Sequence, residues 1–128
     1  MPAPFDYAVV RVVPRVEREE FLNVGVIVHA PTLGFLGCAL GLDRGRVAAF
    51  AGSLDLDALA RHLDAFRAVC DGDTTAGPIA ALPAPERFYW LVAPRSAILQ
   101  TSPVHGGLCD DPNTALHELF TRRVAPLL

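Results

Sequence analysis

Phe5-Asp6-Tyr7-Ala8-Val9-Val10-Arg11-Val12-Val13, stopped by Pro14, and Phe21-Leu22-Asn23-Val24-Gly25-Val26-Ile27-Val28-His29, stopped at Pro31, decide the fold. Both are dense in β-branched and aromatic residues. A proline cannot donate to a sheet ladder, so each stretch reads as a strand with a fixed end. Between them Arg15, Glu17, Arg18, Glu19 and Glu20 mix both signs, the pattern of a solvated, salt-bridging turn. Thr32-Leu33-Gly34 turns the chain, and residues 35–42 form a third, glycine-broken strand, so 21–42 reads as a hairpin.

Downstream the period changes. Arg44 to Phe50 fits a short helix. Leu56, Leu59, Ala60, Leu63 and Phe66 recur at helical spacing behind Asp55 or Ser53 as cap, which predicts a helix over 55–70. Residues 71–85 carry two glycines and three prolines and read as the mobile loop of the chain. Ala84-Pro85-Glu86 is a helix start, giving a helix over 86–93. Residues 97–102 form a strand closed by Pro103. Asp111 caps a last helix over 112–125, with Pro112 at its first position and Leu116, Leu119, Phe120 and Val124 on one face. Strands come early, helices later, and no βαβ repeat occurs. The expectation is an α+β fold: an antiparallel or mixed sheet of about four strands (5–13, 21–29, 35–42, 97–102) with three main helices packed on it.

Composition bounds the rest. At 128 residues the chain fits one domain, 1–128, and 52% hydrophobic against 20% charged residues excludes a disordered chain. No run is long and apolar enough for a membrane span, and the N-terminus lacks the basic and apolar regions of a signal peptide. These features predict a soluble, cytoplasmic protein. All eleven basic residues are arginine. The lack of lysine excludes Schiff-base chemistry and the lysines of phosphate loops and kinases. A net charge of -3 and a pI near 5.7 disfavour nucleic acid as a partner. Cys38, Cys70 and Cys109 are odd in number and widely spaced, so they read as small buried residues rather than disulfides or metal ligands.

Two regions carry candidate sites. Arg11 stands among Val9, Val10, Val12 and Val13, where an arginine either snorkels or meets a carboxylate or ligand. By alternation Leu22, Val24, Val26 and Val28 form the core face of the second strand. The other face, with Asn23, Gly25 and His29, is then shared with Tyr7 and Arg11. Gly25 would let a backbone or ligand approach closely. The alternative is a structural ion pair of Arg11 with Glu19 or Glu20 and a glycine bulge. The second region is residues 95–111, with Arg95, Gln100, Ser102, His105, Cys109, Asp110 and Asp111. His105 could serve as general acid/base with Ser102 or Asp110 assisting, but no Gly-x-Ser-x-Gly elbow or metal-ligand spacing supports it. The binding reading takes Arg95, Gln100 and His105. Asp111 reads as the helix cap. The aromatic run Phe88-Tyr89-Trp90 reads as a core anchor more than a stacking surface.

Tyr7 to Pro14, Glu20 to Ile27, Arg87 to Leu91 with Ala93 to Ser96, and Ser102 to His105 together resemble the bacterial domain of unknown function 3037. The resemblance runs from about Tyr7 to Val124. It brings no activity and no cofactor. It implies a partner role, since members are often encoded beside a protein resembling HipA-type kinases. The leading expectation is a binding or accessory protein with a protein partner, using Tyr7, Arg11, Asn23, Gly25, Arg95, Gln100 and His105. Homodimerisation stays open. The competing expectation is a small hydrolase or phosphate-handling enzyme built on His105.

Overall fold

Val24 to Ala30 is buried without a break. A strand dry on both faces belongs at the centre of a sheet covered on both sides. The computed structural model describes residues 1–95 and 97–125 and shows that arrangement. Ser96, part of one motif above, lies outside the described residues. The strands are β1 (Ala3–Val12), β2 (Leu22–Ala30), β3 (Phe35–Leu40), β4 (Leu99–Thr101) and β5 (His105–Cys109). The helices are α1 (Arg44–Phe50), α2 (Leu56–Asp71), α3 (Ala84–Val92) and α4 (Pro112–Arg123).

All strand pairings are antiparallel, in the order β3-β2-β1, with β4 and β5 end to end along the outer edge of β1. The fold is α+β, with helices packed on an antiparallel sheet. It exceeds the expected four strands by β5. That segment, His105-Gly106-Gly107-Leu108-Cys109, has weak strand propensity and owes its form to pairing with Ala3 to Tyr7.

Two irregularities set the faces. In β2 the register against β1 slips between Val10–Gly25 and Arg11–Asn23, so β2 carries one extra residue there. On the other side of β1, Val10 faces Thr101 but Tyr7 faces His105, so residues 102–104 stand against only Ala8 and Val9. Ser102 bridges that bulge. Its hydroxyl accepts from the Val9 amide at 2.9 Å and donates to the Pro103 carbonyl at 2.9 Å.

One face of the sheet carries Ala8, Val10, Val12, Val24 and Ile27 and packs under α1 to α3. Helix α2 presents Leu59, Leu63, Phe66, Val69 and Cys70 to it. Its ends are set by Asp55, which accepts from the Ala58 amide at 3.0 Å, and by Gly72 in the left-handed region at φ +72°. The opposite face carries Phe5, Val26, Val28 and Ala30 under α4, through Leu116 and Val124. Each of those valines or leucines contributes roughly 1.5–3 kcal/mol by leaving water. Asp111 caps α4 through the Asn113 amide at 3.1 Å, as its sequence predicts. Residues 71–85 close α2 and then form two 3-10 turns, Thr74–Ala76 and Pro78–Ala81, with Ala80 buried. Among the described residues, no helix is long and apolar enough to cross a membrane.

Candidate functional site

Helix α4 packs mainly on β2 and β3 and reaches Phe5 of β1 and Cys109 of β5, and it leaves Tyr7, Arg11, Gln100 and His105 on the same face only partly covered. Directly paired residues share a face, so Tyr7 with His105, and Arg11 with Asn23 and Gln100, all lie on this side. Tyr7 and Arg11 are four steps apart along one strand, about 13 Å. The site is therefore an elongated strip, with Tyr7 and His105 at one end and Arg11 at the other.

At the first end the Tyr7 and His105 rings lie 5.4 Å apart. Arg123, from the last turn of α4, donates to the Tyr7 hydroxyl at 3.5 Å. At the second end the Arg11 guanidinium lies over the Phe21 ring, 3.9 Å from its centroid. Phe21 is 45% exposed, so this cation–π pair stands at the surface. Arg11 is not ion-paired among the described residues. Glu20, one expected partner, takes Arg18, and Arg15 takes Glu17. The charged turn is thus the salt-bridging turn its sequence predicts, and it leaves Arg11 alone.

Two buried atoms here are unbonded, the Nε of Arg11 and the Oδ1 of Asn23. One is a donor and the other an acceptor, on residues directly opposite each other. The Asn23 amide is oriented by its own donation to the Arg123 carbonyl at 3.0 Å. Burial lowers the Arg11 pKa, though an arginine stays charged in any case. The result is a charged, planar donor group, partly dry, with no carboxylate of its own.

The other predicted residues are distributed elsewhere. Gly25 and His29 face α1 to α3, because the extra residue in β2 shifts its alternation by one. A Cβ at Gly25 would stand 2.8 Å from the Ala39 carbonyl oxygen, so the approaching backbone is β3. His29 is buried against Phe88, with ring centroids 5.0 Å apart, and burial lowers its pKa against the pull of Asp6. Gln100 turns back on its own loop, its amide donating to the Ala97 carbonyl at 2.8 Å. Arg95 sits on the other side of the molecule, over the Trp90 ring at 4.8 Å, and donates to the Trp90 and Ala93 carbonyls at the end of α3.

Ser102 is 4% exposed and spends its hydroxyl on the bulge. Asp110 follows β5 at the far end from His105, about 16 Å along the strand. Asp110 is thus held away from His105, and the Ser102 hydroxyl is already engaged with the backbone. No three His, Cys, Asp or Glu side chains among the described residues are placed to hold a metal ion.

Three features were not read from the sequence. Phe21 lay on the right face but was not singled out. Arg123 reaches Tyr7 from the far end of the chain. Cys38 on β3 and Cys70 on α2 share a hydrogen bond, which lowers the Cys38 pKa and, with burial, raises that of Cys70. The aromatic run also divides. Phe88 is core, while Tyr89 and Trp90 are exposed.

No curated protein and no solved structure matches the chain. A family model does, described as "Protein of unknown function (DUF3037)", over residues 7–124. That span takes in both ends of the strip, and the chain belongs to this family.

Proposed function

We propose that the protein is a small binding or accessory protein of the bacterial cytoplasm that works through a protein partner. The partner docks on the part of the α4-side sheet face around Tyr7, Arg11 and His105 that α4 leaves partly exposed. The observation that carries this reading is Arg11, a partly dry cation stacked on an exposed phenylalanine with no carboxylate of its own. A guanidinium held in that way suits two parallel hydrogen bonds to a carboxylate. Tyr7 and His105 extend the surface by about 13 Å, the reach of a short peptide segment. Exposed Phe21 and Val104 supply the apolar contact beside it. The partner's contact is therefore an acidic side chain flanked by apolar ones. Family resemblance makes a HipA-type kinase the first partner to test.

The hydrolytic reading is the weaker one, because Ser102 spends its hydroxyl on backbone groups and Asp110 lies at the far end of β5 from His105. The test is a tagged pull-down from the native host, with wild type and Arg11→Ala compared by mass spectrometry. A charge-assisted hydrogen bond in such a setting contributes about 2 kcal/mol, so Arg11→Ala weakens the partner roughly thirtyfold. A stoichiometric partner captured equally well by folded Arg11→Ala overturns the proposal. Capture of a second copy of the chain alone would make the surface a homodimer contact instead.

A further inference from the structure

Toward α2 and α3 lies a cavity that shares only Gln100 with the strip described above. It measures about 390 Å³, within the usual range for a small-molecule site. It lies between α2, α3, the second 3-10 turn and β4. Phe66 and Val69 from α2, Leu91 from α3, Ile79 from the second 3-10 turn and Leu99 from β4 give it an apolar body. Leu99 faces it because it pairs with Val12, which points to the α1–α3 side.

The polar groups sit apart from that body. Arg95 is at the rim, held over Trp90 and tethered to the carbonyls that end α3. That tether uses its Nε and one Nη, and the second Nη has no hydrogen-bond partner among the described residues. His62 is exposed on the α2 side of the same opening. Among the described residues, no aspartate or glutamate lines the cavity. A concave apolar space with one fixed cation at its mouth, and no acid to neutralise it, is complementary to an amphipathic anion.

Size and charge narrow the class. At about 30 Å³ for each water-sized group, the space takes roughly a dozen heavy atoms. A single guanidinium balances one negative charge, whereas a phosphate dianion ordinarily draws several donors. We infer that this cavity binds a small monocarboxylic acid with an apolar body, such as a medium-chain fatty acid, with its carboxylate on Arg95. Arg11 does not line the cavity, so the site stands or falls independently of the partner surface.

The chain's single tryptophan, Trp90, lines the cavity and reports on it. Purified protein is titrated with decanoate, decanol and decyl phosphate while Trp90 emission is followed. Decanoate gives saturable binding at one site, and decanol binds at least about tenfold more weakly. Arg95→Gln removes the preference for the acid and leaves decanol binding unchanged, while Arg95→Lys keeps part of it. Ala65→Phe, an exposed lining position whose change leaves the core intact, fills the space and abolishes binding of both. The inference is overturned if no ligand saturates, if folded Ala65→Phe binds decanoate as wild type does, or if Arg95→Gln keeps the acid preference. Tighter binding of decyl phosphate than of decanoate overturns the monocarboxylate class.

Discussion

Ser102→Ala is expected to destabilise the protein by about 2 kcal/mol, far more than loss of a surface hydroxyl. The Val9 amide lies in the middle of the sheet, where the bulge at residues 102–104 leaves it without a backbone acceptor. The Ser102 hydroxyl fills that place at 2.9 Å, and the residue is 4% exposed, so water cannot reach in to replace it. An unsatisfied buried donor costs about 1–3 kcal/mol. For a chain of this length each kcal/mol moves Tm by about 4 °C, so the expected loss is about 8 °C. Thr101→Val is the control. Its hydroxyl makes only a long bond, 3.4 Å to the Val92 carbonyl, and its loss should move Tm by less than about 2 °C. Thermal unfolding by circular dichroism gives the shift, and hydrogen exchange at Val9 locates it. A Ser102→Ala protein with wild-type Tm and a still-protected Val9 amide refutes the reasoning and returns the hydroxyl to the pool of free nucleophiles.

Gly25→Ala forces a methyl against the Ala39 carbonyl oxygen, and overpacking of that kind costs about 1–3 kcal/mol, read as a lower urea midpoint. His29 titrates below its ordinary 6.5 because it is buried, so the unfolded chain takes up the proton first as pH falls. Stability is therefore full above about pH 6.5 and declines below it until the folded histidine also protonates; His29→Gln should flatten that slope in urea melts between about pH 7.5 and 5. Alkylation with iodoacetamide, mapped by peptide mass, should modify Cys38 before Cys70, since their shared hydrogen bond favours the Cys38 thiolate and Cys70 is fully buried. Labelling of Cys70 first contradicts that pairing.

Period and punctuation made most of the fold legible. Prolines 14, 31 and 103 ended strands, Asp55 and Asp111 capped helices, and the apolar spacing of 59, 63 and 66 gave α2 its buried face. What failed was local regularity. Alternation along β2 holds from His29 to Gly25 and then breaks at the extra residue, so Asn23 stays with Arg11 while Gly25 and His29 fall on the opposite side. Strand β5 is glycine-rich and exists through its pairing with β1, and no window of sequence records that partner.

The site shows the same division. Tyr7 and Arg11 are two steps of period two apart, so their shared face was readable from one strand. That Arg11 lacks an ion pair was not, because the sequence does not say whether Glu20 folds back along the strand to Arg11 or pairs with Arg18 beside it. Arg95 was grouped with His105 by its nearness in sequence. The helix end that holds it places it beside the cavity. Contacts such as Arg123 on Tyr7 cross nearly the whole chain and become visible only when α4 is docked.

The central claim is that the partly exposed sheet face around Arg11 receives a protein. Hydrogen–deuterium exchange of the purified protein, with and without the partner captured from the native host, tests it most directly. The account predicts added protection over residues 7–11, 21–23 and 104–107, with α2 and α3 unchanged. Protection confined to α2, α3 and β4, or none on β1 and β5, would contradict it.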